Sequence, residues 1–171
     1  MIILVTGGAR SGKSRYAQER AKQTTDLPVY VATARQWDGD FQDRIKRHQQ
    51  ERGPEWTSHE AEKYVSALAL SDRVVVVDCI TLWLTNFFID HKQDINAALT
   101  EFKQEIDKLA TQQNTFIIVT NEIGMGVHAE TEAGRKFVDL QGWANQYVAA
   151  IADEVIFMVS GIPVKIKPVT R

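Results

Sequence analysis

The sequence predicts an α/β protein with a mostly parallel sheet flanked by helices. Three observations carry that expectation. Short apolar runs alternate with longer amphipathic ones along the 171 residues. The short runs are hydrophobic almost without interruption, as strands buried on both faces of a parallel sheet are. A glycine-rich turn, GGARSGKS at 7–14, directly follows the first run.

Strands are expected at 2–6 (IILVT), 28–33 (PVYVAT), 74–78 (VVVVD), 115–120 (TFIIVT) and 154–159 (EVIFMV). KSRYAQERAKQ after the glycine-rich turn is compatible with helix, and another helix is expected to start near Thr81. Ile95, Leu99, Phe102, Ile106 and Leu109 recur at helical spacing, as do Phe137, Leu140, Ala144, Tyr147, Val148 and Ile151. Gly161 and Pro163 break the chain before Val164–Lys167, which reads as a short edge strand turning back on the fifth. The length suits one domain over 1–171.

Composition narrows the function classes. Twenty Lys and Arg against 22 Asp and Glu leave no basic field for nucleic acid. The single cysteine, Cys79, excludes an intrachain disulfide framework and fits a reducing cytoplasm. The apolar stretch before Thr6-Gly7-Gly8 is too short for a signal-peptide core, and no run approaches a membrane span. A cytoplasmic protein is expected.

Gly7, Gly12, Lys13 and Ser14 fit G-x-x-x-x-G-K-[ST], the phosphate-binding loop or P-loop. The strand before it and the helix after it are the context that motif requires. Backbone N–H groups of Gly7, Gly8, Ala9, Arg10, Ser11 and Gly12 would turn inward around a triphosphate, Lys13 would reach the β- and γ-phosphates, and Ser14 would ligate Mg²⁺. Asp78 closes four valines and suits the other side of the same Mg²⁺ site, with capping of the next helix as the simpler alternative. Cys79 reads as a buried small residue rather than a nucleophile. In parallel sheets ligands sit beyond the carboxyl ends of the strands, which here means Gly7–Ser14, Thr33-Ala34-Arg35, Asp78, Thr120-Asn121-Glu122 and Ser160-Gly161.

A second feature is RIKRHQQERGPEWTSHE at 44–60, where Arg44, His48, Arg52, Trp56 and Glu60 fall at intervals of four. On a helix the first three share a face, drifting about 40° per step, and Gly53-Pro54 stops that helix. A histidine among cations is held neutral and nucleophilic, and the cations suit phosphate oxygens. Attack by a neutral imidazole on an α-phosphorus would give a phosphoramidate. A solvated basic helix is the plainer reading, and spacing alone does not separate the two. His59, His91 and His128 show no zinc-site spacing. Glu122 would either position a substrate or take its hydroxyl proton, or it would cap the following turn. Ile80, Leu82, Trp83, Leu84, Phe87, Phe88 and Ile89 crowd one stretch, which suits a helix buried in its own domain, a subunit interface or an apolar wall for a ligand. Trp37, Trp56 and Trp143 read as core or as stacking residues.

Taken together, ILVTGGARSGKSR (3–15), VATA (31–34), the R-x3-H-x3-R-x3-W-x3-E segment, the acidic strand end with CIT (78–81), TNEIGMG (120–126) and ADEVIFMVSGIPVKIK (152–167) resemble one family over nearly the whole length. It is the bifunctional adenosylcobinamide kinase/adenosylcobinamide-phosphate guanylyltransferase family of cobalamin biosynthesis. The resemblance implies a RecA-like P-loop core, homotrimers, ATP or GTP with Mg²⁺, and two reactions; the implied oligomers favour a subunit interface as the role of the apolar stretch at 80–89. The hydroxyl of the aminopropanol arm of adenosylcobinamide is phosphorylated, and GMP from GTP is then transferred to that phosphate by way of a guanylyl-histidine. On this resemblance His48 carries GMP, and Thr33, Ala34, Arg35, Arg52, Glu60 and Asp78 lie around the nucleotide, with Ser14 and Asp78 on the metal. Two positions depart from some relatives, Asp78 for Glu and Arg47 for a second histidine. A P-loop small-molecule kinase and a nucleotide-switched binding protein are the alternatives.

Overall fold

The computed structural model describes residues 1–35 and 53–167. His48, Arg44, Arg52 and Trp37 lie outside the described residues. The chain forms β1 (Ile2–Gly7), α1 (Lys13–Thr24), β2 (Val29–Ala32), β3 (Thr57–Glu60), β4 (Val74–Asp78), α2 (Ile80–Asp90), α3 (Ile95–Thr111), β5 (Thr115–Val119), α4 (Glu132–Ile151), β6 (Glu154–Val159) and β7 (Ile162–Lys167). Single 3-10 turns occur at Val65–Ala67 and Ile123–Met125.

The strands make one sheet in the order β3-β2-β4-β5-β1-β6-β7. Every neighbouring pair is parallel except β6 and β7, where the Gly161 turn sends the last strand back. Alternate residues divide between two apolar layers. Leu4, Val31, Val75, Val77, Phe116 and Ile118 face α2, α3 and α4. Ile3, Val5, Val76, Ile117 and Ile156 face α1, which meets them through Ala17 and Ala21. Those two small residues let α1 lie close to the sheet, which is why its sequence looks polar although the strand face beneath it is fully covered. Each fully buried Val or Ile contributes about 1.5–3 kcal/mol of transfer free energy, so a two-faced sheet is the dominant stabilising element.

The five strands expected from the sequence are present, trimmed by a residue or two at β2 and β5 and extended by one at β1. The edge strand turning back on β6 is also present. β3 was not foreseen. Its residues TSHE are polar, and most of them are exposed at the sheet edge, so no hydrophobic pattern marks them. They pair with β2 in parallel, from Val29↔Thr57 to Ala32↔Glu60.

The crowded apolar stretch at 80–89 needs correction. Ile80, Trp83, Leu84 and Phe87 are wholly buried and Phe88 is nearly so, packed within the chain's own core. Trp83 meets Phe102 edge-on at 5.3 Å, and Phe88 meets Phe137 at 5.5 Å. The density of apolar residues arises because α2 is sandwiched between sheet, α3 and α4; of the seven, Ile89 is the exposed one. Trp56 joins the other layer, edge-on to Tyr30 at 6.3 Å, whereas Trp143 is about half exposed.

Candidate nucleotide site

The loop between β1 and α1 is shaped by two glycines. Gly7 has φ +148°, and a Cβ there would lie 2.6 Å from the Met158 carbonyl oxygen. Gly12 caps α1 in the left-handed region, at φ +90°. No side chain among the described residues caps α1, and its first turn carries no acid. By contrast, Asp94 and Thr131 accept hydrogen bonds that cap α3 and α4. The amino end of α1 therefore presents unpaired N–H groups and a positive dipole end to the crevice, the arrangement that receives a phosphate.

The loop is held from three sides. Gly161 N donates to Ser11 O at 3.0 Å, and Glu122 N donates to Gly7 O at 3.1 Å. Lys13 Nζ donates to Gly8 O at 2.6 Å, with Ser11 Oγ at 3.5 Å. Only 6% of Lys13 is exposed. Burial pulls its pKa below the ordinary lysine value, with the nearby Cys79 and Asp78 acting in the opposite sense. In this state Lys13 is folded onto its own loop, and an incoming phosphate would replace the Gly8 carbonyl as its partner.

Asp78 ends β4 on the same edge of the sheet, and Tyr30 on β2 donates its hydroxyl to Asp78 Oδ2 at 3.0 Å. Among the described residues Asp78 Oδ1 accepts no hydrogen bond. Asp78 and Ser14 offer hard oxygen donors beside the loop, a set that fits Mg²⁺, which takes one or two protein oxygens together with phosphates and water. No cluster of three or more His, Cys, Asp or Glu occurs among the described residues, so a cage of protein ligands alone is not built here. Cys79 is buried, and burial pushes its thiol up to about 12, leaving it protonated and unreactive.

The remaining expected positions fall along the same edge. In register, Glu60, Ala32 and Asp78 form one row across β3, β2 and β4. Thr33 is wholly buried, with its Oγ donating to Cys79 O at 2.8 Å. Ala34 is half-buried beside it. Arg35 points to α2: Nε meets Glu62 Oε2 at 2.6 Å, and the two terminal nitrogens meet the Asp90 carboxylate at 2.9 and 3.1 Å. Those hydrogen bonds, to Asp90 foremost, raise its already high pKa further.

Several contributors carried no strong signal. Tyr30 reads as an ordinary strand residue until β4 is placed beside β2. Gln141 and Asn145 support the Thr120–Glu122 loop from within α4. Their polar side chains sit four apart beside the apolar positions Leu140, Ala144 and Val148, a clue available in the periodicity.

A parallel sheet with a P-loop at the end of β1 and an acid at the end of β4, separated by β5, defines a P-loop nucleotide-binding protein. Solved structures agree on the fold. One is a prototypical ATPase from the type III secretion system of pathogenic bacteria, with TM-score 0.62 and 9% identity, covering 92% of this chain and 51% of that one. Another is the PH0250 protein of Pyrococcus horikoshii OT3, with TM-score 0.54 and 8% identity, covering 99% and 87%. Within that class, residues 3–166 match the family model of cobinamide kinase / cobinamide phosphate guanyltransferase, and the chain belongs to this family. It is 38% identical to the bifunctional adenosylcobalamin biosynthesis protein CobU of Escherichia coli, with 98% of this chain and 100% of that protein covered. It is 36% identical to CobP of Pseudomonas aeruginosa, with 98% of each covered.

Proposed function

We propose that this chain phosphorylates adenosylcobinamide with ATP or GTP and then transfers GMP from GTP onto the new phosphate, giving adenosylcobinamide-GDP and pyrophosphate. The observation that carries the reading is the uncapped amino end of α1 inside Gly7–Ser14, in a chain whose family match runs from residue 3 to 166.

The triphosphate lies in Gly7, Gly8, Ala9, Arg10, Ser11, Gly12, Lys13 and Ser14, with Thr33, Ala34, Arg35, Arg52, Glu60 and Asp78 around the rest of the nucleotide. Lys13 neutralises charge on the departing phosphates. Ser14 and Asp78 would hold Mg²⁺, which supplies charge neutralisation on the phosphate oxygens. His48 is the acceptor of GMP: a ring nitrogen attacks the α-phosphorus, the bond to pyrophosphate breaks, and an oxygen of adenosylcobinamide phosphate later displaces the imidazole. Homotrimers and a cytoplasmic setting complete the proposal. The trimer is supported by the family resemblance, and the cytoplasmic setting by the lone cysteine.

Incubation with α-labelled GTP and Mg²⁺, followed by denaturation, tests it. Retained label that is acid-labile and alkali-stable is expected, and His48→Ala should abolish it. A simple kinase or a nucleotide-driven switch would retain none.

A further inference from the structure

We propose that Glu122 is the general base of the phosphoryl-transfer step, receiving the proton of the acceptor hydroxyl on Oε2. This rests on the kinase activity proposed above. β5 lies between β1 and β4, so the residues that follow it emerge between the phosphate loop and Asp78. The Glu122 backbone is tied to that loop by its N–H to Gly7 O.

The side chain does not cap the 3-10 turn it precedes. It folds back, and Oε1 accepts hydrogen bonds from Thr6 Oγ at 2.6 Å and Asn145 Nδ2 at 3.2 Å. Both donors belong to buried residues. The Asn145 amide is itself fixed, because its Oδ1 accepts from Thr120 Oγ at 2.7 Å and Gln141 Nε2 at 2.9 Å. One carboxylate oxygen is thus locked by a rigid polar network. The other, Oε2, accepts no hydrogen bond among the described residues, and Glu122 lines an open pocket of about 380 Å³ together with Gly8, Arg10, Ser11, Met125 and Ser160. Met125 and Val159, largely exposed on the same pocket, give it an apolar wall suited to a bulky acceptor.

The step balances. The acceptor O–H bond breaks and its proton goes to Oε2. The oxygen forms a bond to the γ-phosphorus, the bond to the β,γ-bridging oxygen breaks, and the nucleoside diphosphate leaves. The proton then passes to solvent through the open pocket. Guanylyl transfer has no such need, since an imidazole nitrogen and a phosphate oxygen attack without an O–H proton to remove. A base at this position therefore separates the two half-reactions.

The experiment uses the full chain and its Glu122→Gln and Glu122→Asp variants, with folding checked by thermal melting. Phosphorylation of adenosylcobinamide and guanylyl transfer to pre-formed adenosylcobinamide phosphate are measured separately. Glu122→Gln should lower kcat for phosphorylation about 100-fold or more, leaving KM for the nucleotide and guanylyl transfer within about threefold. Glu122→Asp keeps a carboxylate on a shorter stem and should show the same split at about 10-fold, which decides the matter if the Gln variant does not fold. Equal loss of both half-reactions would mean that Glu122 only braces the phosphate loop, and undiminished phosphorylation would mean that it takes no proton; either overturns the proposal. Absence of phosphorylation by the unaltered protein would instead overturn the kinase reading, and the base with it.

Discussion

The Tyr30 hydroxyl reaches across from β2 to Asp78 Oδ2 at 3.0 Å, fixing the carboxylate that ends β4. With one oxygen held, the carboxylate has a set orientation before any ligand arrives. Tyr30 is itself buried and braced by Trp56, so the hydroxyl has little freedom to move away. Tyr30→Phe removes this hydrogen bond and keeps the ring packing. The Mg²⁺ concentration for half-maximal turnover should rise about three- to tenfold, in line with the ~1 kcal/mol usual for one such bond. A Mg²⁺ titration of nucleotide turnover reads this directly, and an unchanged midpoint would separate Asp78 from the metal.

Lys13 supplies a pH signature. Its folded pKa lies below the ordinary 10.5 because burial penalises the ammonium. Between the folded and unfolded values the unfolded chain binds more protons, so stability attributable to this group rises with pH across that window. Comparing Lys13→Met with the unaltered protein in the absence of nucleotide, the melting-temperature gap should move in favour of the unaltered protein as pH climbs toward 10.5. The variant should also lose the melting-temperature increase that GTP confers. A gap that does not vary with pH would contradict a penalised ammonium.

The ion pairs of Arg35 predict a change of the same sign in a different window, at acid pH. Hydrogen bonding to Arg35, with Lys63 adding to it, holds the Asp90 carboxyl below its ordinary 3.8. Its contribution is therefore present above that value and is lost as pH falls through the lower folded value. Both side chains are partly exposed, so solvent screening limits the pair to ~1 kcal/mol. Asp90→Asn should melt about 2–4 °C lower at pH 7, and the difference should close in strong acid. Melting curves across pH check both parts.

The phosphate loop, Asp78 and the parallel sheet are legible in the sequence because each is local. A glycine pattern, a strand-end acid and continuous apolar runs need no distant partner to be recognised. β3 is not legible, since its pairing uses backbone groups that TSHE does not advertise. Nor is the role of Tyr30 or the support of Glu122 by Thr6 and Asn145, because those contacts join residues 48, 116 and 23 positions apart in the chain. The stretch at 80–89 shows the converse difficulty. Apolar density alone cannot say whether a helix is covered by its own chain or by another, and here α3 and α4 cover it.

Phe87 is wholly buried between Trp83 and Phe102, with ring centroids 6.5 and 6.2 Å away, and Lys63 Nζ sits 4.9 Å from its ring. Phe87→Ala opens a cavity that these large neighbours cannot close without leaving their rotamers, so about 3–5 kcal/mol of stability should be lost. That is on the order of 10 °C in melting temperature for a chain of this size. Ile89→Ala, on the exposed side of the same helix, should change the melting temperature by less than about 2 °C. Were this helix an interface rather than core, the order would reverse: Ile89→Ala would dissociate the assembly, as gel filtration with light scattering would show, and Phe87→Ala would be mild. The burial of Phe87 requires the first outcome, because the chain's own core leaves none of its surface accessible to a partner.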